Sequence, residues 1–159
     1  MRDAKYIVGI DLGTTNIAVS FVDTEAATPE VKLFQVPQHC APGEVNERDL
    51  LPAFCFYPTP KQFPEGSMKL PWTGKKGDDH TVGLMARDAG ASTPNRFISS
   101  AKSWLCHAGV DRRGAILPWH AEGDVAKSPL DVTALYLEHV RKAWDGKFGR
   151  KKDANGNPC

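Results

Sequence analysis

The segment GIDLGTTN, residues 9–16, begins at the end of one short apolar run, stops directly before a second, and guides the interpretation of the whole chain. The run at residues 6–10 and the run at residues 17–22, which is rich in β-branched side chains, have the composition of strands. A link this short joins two strands that run antiparallel to each other. We therefore expect a strand, a tight turn and a second strand, with Asp11 where the first strand ends and Gly13 in the turn.

A third strand and an α+β region are expected after this unit. Residues 31–36 would complete an antiparallel meander, because the connection that precedes them is short. The next predicted elements are a strand at residues 51–58, a surface hairpin or loop at 59–80, a short strand at 80–83 and a helical turn at 84–89 that Gly90 stops.

Two amphipathic helices are predicted in the second half of the chain. The first opens at residues 93–95, and its core-facing stripe comprises Phe97, Ile98, Ala101, Trp104 and Leu105. Residues 107–127 have the composition of a loop. The second helix begins with Ser128 as N-cap, Pro129 at N1 and Asp131 at N3. Its expected core-facing stripe comprises Leu130, Ala134, Leu137, Val140, Trp144 and Phe148.

The bulk composition favours a globular cytoplasmic protein. Hydrophobic residues make up 41% of the chain and charged residues 25%, as in one domain or two small packed subdomains. A net charge of +1 at pH 7 indicates neither a nucleic-acid partner nor a membrane surface. No apolar window is long enough for a membrane span, and Asp11 interrupts the first apolar run before a signal peptide could form.

The cysteine and histidine patterns argue against a disulfide framework and a metal centre. The four cysteines are far apart and form no CxxC pair, so we expect free thiols in a reducing compartment. The five histidines share no regular spacing with acids or cysteines, so we expect no zinc-type site.

The turn after the first strand has the residue types that a phosphate site needs. A glycine at Gly13 lets the backbone approach a phosphate, while the amides of Thr14, Thr15 and Asn16 and the threonine hydroxyls supply donors. The Asp11 carboxylate could hold Mg²⁺ directly or through its water shell. The alternative is an ordinary hairpin turn, in which Gly13 supplies a positive φ and Asp11 caps backbone amides.

The octapeptide GIDLGTTN resembles the first phosphate-binding motif of the actin-fold ATPases, in the form typical of the DnaK-like chaperones of the seventy-kilodalton heat-shock family. Later segments resemble that family in the same order and spacing. LLPAFCF at residues 51–57 keeps the proline and the alternation of the family's T-P-S-x-V-x-F strand, and VGLMAR at 82–87 resembles its V-G-x-x-A-K segment. Residues 93–105 and 129–148 resemble two of its helices.

The resemblance implies an α/β fold: an incomplete ribonuclease-H-like lobe of an actin-like ATPase with an inserted α+β subdomain. Residues 1–36 would form the first strands with the phosphate turn, 37–127 the inserted subdomain, 128–149 the returning helix and 150–159 a frayed tail. Nucleotide contacts would come from Gly13, Thr14, Thr15 and Asn16, and Asp11 would hold Mg²⁺ through water. Arg87 falls at the family's catalytic lysine, where its planar guanidinium differs from a compact ammonium.

The resemblance also implies a function and its partners. The intact protein would bind ATP or ADP with Mg²⁺, hydrolyse ATP slowly, and couple hydrolysis to the folding of client peptides with cochaperones. Neither nucleic acid nor membrane is an expected partner. The family's second phosphate loop, adenosine-binding residues and acidic catalytic residues have no counterpart in the 159 residues, so we expect this chain to be inactive by itself.

Two other functions are compatible with the motif. A sugar or polyol kinase of the actin fold uses the same DLGTT turn, but such kinases place sugar-binding acids and tryptophans early, whereas this chain has the V-G-x-x-A-[KR] segment. A chaperone lobe that binds partners without catalysis is the other possibility. It is favoured if Arg87 cannot position a water molecule.

Overall fold

A computed structural model describes residues 4–74, 77–121 and 125–149. Within these residues the chain is a mixed α/β structure with small antiparallel sheets. The strands are β1 (Tyr6–Leu12), β2 (Asn16–Asp23), β3 (Lys32–Leu33), β4 (Val36–Ala41), β5 (Glu44–Arg48), β6 (Leu50–Pro52), β7 (Phe54–Phe56), β8 (Thr81–Val82) and β9 (Phe97–Ser99). The helices are α1 (Leu84–Gly90), α2 (Ala101–Leu105) and α3 (Pro129–Phe148).

The first sheet contains the predicted strand, turn and strand. β1 and β2 pair along their whole length, and β2 pairs on its other edge with both β3 and β6. The expected third strand at residues 31–36 is reduced to the two residues of β3. Val36, the last residue of the expected strand, instead begins β4, which forms a separate hairpin with β5. The Pro42-Gly43 turn of that hairpin, with Gly43 at φ 79°, is a signal that the strand prediction overlooked.

The strand predicted at residues 51–58 is divided between two sheets. The N–H of Ala53 donates to the carbonyl of Thr15 at 2.8 Å, which ties β6 to the end of the first sheet. Beyond Ala53, β7 pairs with β8 on one side and β9 on the other. The single apolar run therefore supplies β6, which pairs with β2 in the first sheet, and β7, which is the central strand of the sheet with β8 and β9. The short strand and helical turn predicted after residue 80 are confirmed as β8 and α1.

The prediction of a helix that begins at residues 93–95 is wrong for the residues before Ala101. A 3₁₀ turn at Pro94–Arg96 leads into β9, and a helix begins only at Ala101. Strand geometry prevails because β7 offers an edge on which Ile98 pairs with Cys55, and because the Phe97 ring stacks on Phe54 at 5.5 Å. Ser100, in the left-handed region at φ 55°, separates β9 from α2.

The start of α3 is confirmed residue by residue. The Asp131 N–H donates to Ser128 Oγ at 3.0 Å, and Ser128 Oγ donates to the Asp131 carboxylate at 2.7 Å. This reciprocal arrangement satisfies an orphan donor in the first helical turn. Pro129 occupies N1, where no N–H is needed.

The buried face of α3 differs from the predicted stripe. Leu130 and Leu137 are 43% and 38% exposed, and Ala134 is exposed as well. The C-terminal half of the stripe is confirmed, because Val140 is buried and Trp144 and Phe148 pack against the core. The other buried residues of the helix lie outside the predicted stripe: Pro129, Val132, Thr133, Tyr136, His139 and Ala143. The helix carries apolar side chains around much of its circumference, so periodicity alone could not select the face that contacts the sheets.

The C-terminal end of α3 docks on the first sheet through an aromatic cluster. Trp144 has ring centroids 5.3 to 5.5 Å from those of Tyr6, Phe21 and Phe34, and Phe148 lies 4.4 Å from Trp144. Tyr6 and Phe21 meet the Trp144 ring edge to face, a favourable geometry for aromatic pairs. This cluster joins the end of the chain's longest described helix to its first strands.

β1 is an edge strand that pairs only with β2 among the described residues. Its side chains are exposed on both faces of the sheet, since Ile7 is 63% and Ile10 is 45% exposed. An edge of this kind presents free backbone donors and acceptors and can accept a further strand.

The loops agree with the sequence expectation. Residues 59–74, 77–80 and 107–121 contain turns and no strand longer than an isolated bridge. The expected frayed tail lies outside the described residues. None of the described helices has both the length and the apolar character that crossing a lipid bilayer requires.

Replacing Trp144 by Ala should lower the free energy of unfolding by about 3 kcal/mol, because it removes the ring at the centre of the aromatic cluster. Leu137→Ala on the same helix is the matched control, and its exposed side chain predicts a loss below about 1 kcal/mol. Urea denaturation measures both. Equal losses in the two variants would show that α3 does not dock through Trp144.

A buried histidine should make the fold sensitive to acid. Burial, with smaller contributions from the positive charges of His39, His80 and Lys142, lowers the pKa of His139 from its ordinary value of 6.5 to about 4. The hydrogen bond from His139 Nε2 to the Pro37 carbonyl, 2.8 Å long, opposes this effect only partly. The folded state therefore keeps His139 neutral where the unfolded chain protonates it.

Because the unfolded state binds the extra proton, stability falls as pH decreases from about 6.5 to about 4, by up to about 3 kcal/mol from this group. Above pH 6.5 the group is neutral in both states and contributes no pH dependence. His139→Gln should flatten the stability curve across that interval relative to the wild type. Parallel curves from urea denaturation at pH 7, 5.5 and 4 would contradict the assignment.

Candidate functional site

The turn between β1 and β2 lies at the surface. Asp11 pairs with Ala18 and Leu12 with Ile17, so the chain reverses over residues 13–15. Thr14 and Thr15 are exposed, whereas Ile17, directly after the turn, is fully buried. The turn therefore projects from a well-anchored pair of strands and is not covered by the core.

The turn requires a glycine at residue 13 because the backbone of Asn16 passes close to it, and not because residue 13 has a positive φ. Its φ lies outside the left-handed region, unlike that of Gly43 and Gly83. A Cβ atom at residue 13 would collide with the carbonyl oxygen of Asn16. The hairpin alternative correctly expected a glycine-dependent turn, but its reason, a positive φ, is wrong.

Asp11 is exposed near the end of β1, and its side chain makes no hydrogen bond or ion pair with any residue that the structure describes. No group of three His, Cys, Asp or Glu side chains capable of holding a metal ion occurs within residues 4–74, 77–121 and 125–149. A single carboxylate fits Mg²⁺ only if phosphate oxygens and water complete the shell, which is how Mg²⁺ is commonly held beside a nucleotide.

A cavity of about 390 Å³ is lined both by Asn16, at the start of β2, and by Arg87, the predicted catalytic residue. It is lined by Asn16, Gln38, Arg48, Asp49, Leu50, Pro52, Leu84 and Arg87. The fold thus brings two of the predicted site residues, Asn16 and Arg87, to one cavity although 71 positions separate them (87 − 16). Asp11, Gly13, Thr14 and Thr15 are not among the lining residues and lie at the adjoining turn.

The cavity is held in shape by Gln38, a fully buried side chain on β4. Its Nε2 donates to the Leu50 carbonyl at 2.8 Å, and its Oε1 accepts the N–H of Leu84 at 2.9 Å. Gly83, at φ 90°, passes so close to this amide that a Cβ there would collide with Gln38 Oε1. The amide therefore connects β6 to the start of α1, the helix that carries Arg87.

Sequence reasoning missed Gln38. A polar residue just after the third predicted strand looked like the beginning of a loop, and nothing in the local sequence marks its burial. The only available signal was indirect, because the hairpin turn at Pro42-Gly43 would have placed Gln38 inside a strand.

The side chain of Arg87 is 51% exposed, and its Nε donates to the Asp88 carboxylate at 2.8 Å. An exposed ion pair between neighbouring residues contributes little to stability, so a ligand phosphate could compete for the guanidinium. Arg87 therefore lies at the cavity and is paired with the solvent-exposed carboxylate of Asp88.

The described cysteines are free thiols, in agreement with the sequence expectation. Burial raises the pKa of Cys55 to about 12, which keeps it a neutral thiol and removes it as a nucleophile. Cys40 is half-buried and Cys106 is exposed, and Cys159 lies outside the described residues. None of the three described cysteines lines the cavity.

Comparison with models of known protein families gave no match, and comparison with curated protein sequences gave none either. The resemblance to the heat-shock chaperones therefore rests on the quoted residues and their spacing.

Replacing Gly13 by Ala should open the turn, because the added methyl group collides with the Asn16 carbonyl. We expect a loss of about 1–3 kcal/mol in unfolding free energy and displaced amide resonances at residues 13–16. Gly146→Ala in α3 is the control. Its Cβ would meet nothing within 4 Å, and the substitution should stabilise the helix by about 1 kcal/mol. A Gly13→Ala variant as stable as the wild type would contradict the close approach.

Proposed function

We propose that the chain is the nucleotide-binding lobe of an ATP-dependent molecular chaperone of the seventy-kilodalton heat-shock type. The observation that carries the proposal is the exposed GIDLGTTN turn beside a cavity that Asn16 shares with Arg87. The fold would be the ribonuclease-H-like lobe of an actin-like ATPase, a finer assignment than the mixed α/β architecture described above.

The phosphate contacts follow from the turn. Thr14 and Thr15 are exposed and close to the end of β1, so their amides and hydroxyls are accessible to a ligand. The side chain of Asp11, without a protein partner in the described residues, is available for the water shell of Mg²⁺. These residues would hold the phosphates of ATP or ADP, and the magnesium ion would neutralise part of their charge.

Arg87 would contribute from α1, at the cavity that it shares with Asn16. A guanidinium carries a permanent positive charge and can donate two parallel hydrogen bonds to a phosphate. In this role it stabilises negative charge on the terminal phosphate while a water molecule attacks in line. In the intact protein, the nucleotide state would control access of client peptides and cochaperones.

A second candidate, a chaperone-like module that binds nucleotide without hydrolysing it, is favoured by the contact between Arg87 and Asp88. A guanidinium held by a neighbouring carboxylate is less free to orient water than the lysine of the family. In that case nucleotide binding survives and turnover does not.

The proposal can be tested by titrating the 159-residue chain with Mg-ATP while recording amide resonances. We expect progressive shifts at residues 13–16, with a dissociation constant of about 1 mM or weaker, because one lobe offers only part of the phosphate donors. A phosphate-release assay should detect no turnover. Asp11→Asn should weaken the Mg²⁺-dependent part of the binding.

The control is Glu30→Gln, which removes one exposed carboxylate from a loop away from the turn and should leave the titration unchanged. Absence of shifts at residues 13–16 would overturn the phosphate site. Micromolar binding with turnover would show that the chain is a complete enzyme rather than a lobe.

A further inference from the structure

Arg48 is a second arginine at the cavity that contains Asn16 and Arg87. It is the last residue of β5, and its backbone pairs with that of the fully buried Val36 on β4. Its side chain is exposed and makes no hydrogen bond or ion pair with any residue in the described part of the chain. A long cationic side chain therefore stands at the cavity without a partner.

The strand that anchors Arg48 also anchors Arg87. β4 pairs with β5, and from β4 the Gln38 amide binds the start of α1. The two arginines therefore belong to elements that are both fixed to one strand. Their relative placement does not depend on a flexible loop.

The two carboxylates that neighbour these arginines in the sequence already have partners. Asp49, which lines the cavity next to Arg48, accepts a hydrogen bond from Gln35 Nε2 at 3.0 Å, and Asp88 is paired with Arg87. Arg48 is thus the cationic group of this cavity that forms no ion pair with any described carboxylate. The guanidinium groups of Arg48 and Arg87 and the side-chain amide of Asn16 make a set of donors suited to an anion with several oxygens.

We propose that Arg48 is a phosphate-binding residue that, together with Arg87, holds the polyphosphate chain of a nucleoside di- or triphosphate. This inference rests on the proposed function, because it assigns the cavity to the same nucleotide. When the phosphate binds, the Arg48 side chain loses conformational entropy. The charge-assisted hydrogen bonds that form with the phosphate offset this entropic cost. Arg48 touches the ligand without taking part in proton transfer.

The test compares Mg-ATP titrations of the wild type, Arg48→Gln and Arg112→Gln, followed by amide shifts at residues 13–16. Arg112 is an exposed arginine outside the cavity, so its replacement changes net charge by the same amount. We expect Arg48→Gln to weaken binding about tenfold and Arg112→Gln by less than about twofold. Arg48→Lys should recover part of the affinity, since it keeps the charge and loses the planar fork.

Inorganic tripolyphosphate serves as a second probe, because it contains the phosphates without the nucleoside. The same tenfold loss with tripolyphosphate would support a contact to phosphate. If Arg48→Gln and Arg112→Gln bind Mg-ATP alike while residues 13–16 still shift, the role of Arg48 is overturned and the proposed function stands. If the wild type shows no shift at residues 13–16, the proposed function fails, and the role of Arg48 fails with it. Unchanged spectra of the unliganded variants would verify that folding is intact.

Discussion

The two hydrogen bonds of the buried Gln38 amide are the constraint on which the arrangement of the site depends. One bond reaches the Leu50 carbonyl on β6, and the other holds the N–H of Leu84 at the start of α1. A buried amide that loses one partner retains an unsatisfied group at a cost of about 1–3 kcal/mol. The position of α1 relative to the first sheet is therefore fixed by a polar contact as well as by apolar packing.

β4 carries further buried polar contacts of the same kind. His39 Nε2 donates to the Lys69 carbonyl at 3.0 Å, and its Nδ1 lies 3.3 Å from the Thr81 hydroxyl. From α3, His139 Nε2 donates to the carbonyl of Pro37 on β4. Since buried polar groups must be satisfied, each bond ties a different element to this one strand. The hairpin that sequence analysis overlooked is thus the connection between α1, α3 and the long loop at residues 59–74.

The candidate site has one local part and one assembled part. The turn at residues 13–16 follows from adjacent residues: two strands, a glycine that must pass close to the Asn16 carbonyl, and exposed threonines. The cavity beside it combines Arg48, Pro52 and Arg87 from three different elements. A phosphate-binding role for the turn could therefore be hypothesised from sequence, whereas Arg48 could be recognised only after the fold placed it beside Asn16.

The sequence by itself determined the features that depend on neighbouring residues. These are the β1–β2 unit, the α3 cap at Ser128 and the glycine in the turn between β1 and β2. In each, the interacting atoms lie within a few residues or on directly consecutive strands. Tertiary structure decided the rest. Phe97 and Ile98 have helical spacing to later apolar residues, yet they form β9 because β7 offers them an edge. The buried face of α3 and the partners of Gln38 were likewise set by distant surfaces, because burial and hydrogen-bond satisfaction are properties of the assembled core that no short segment contains.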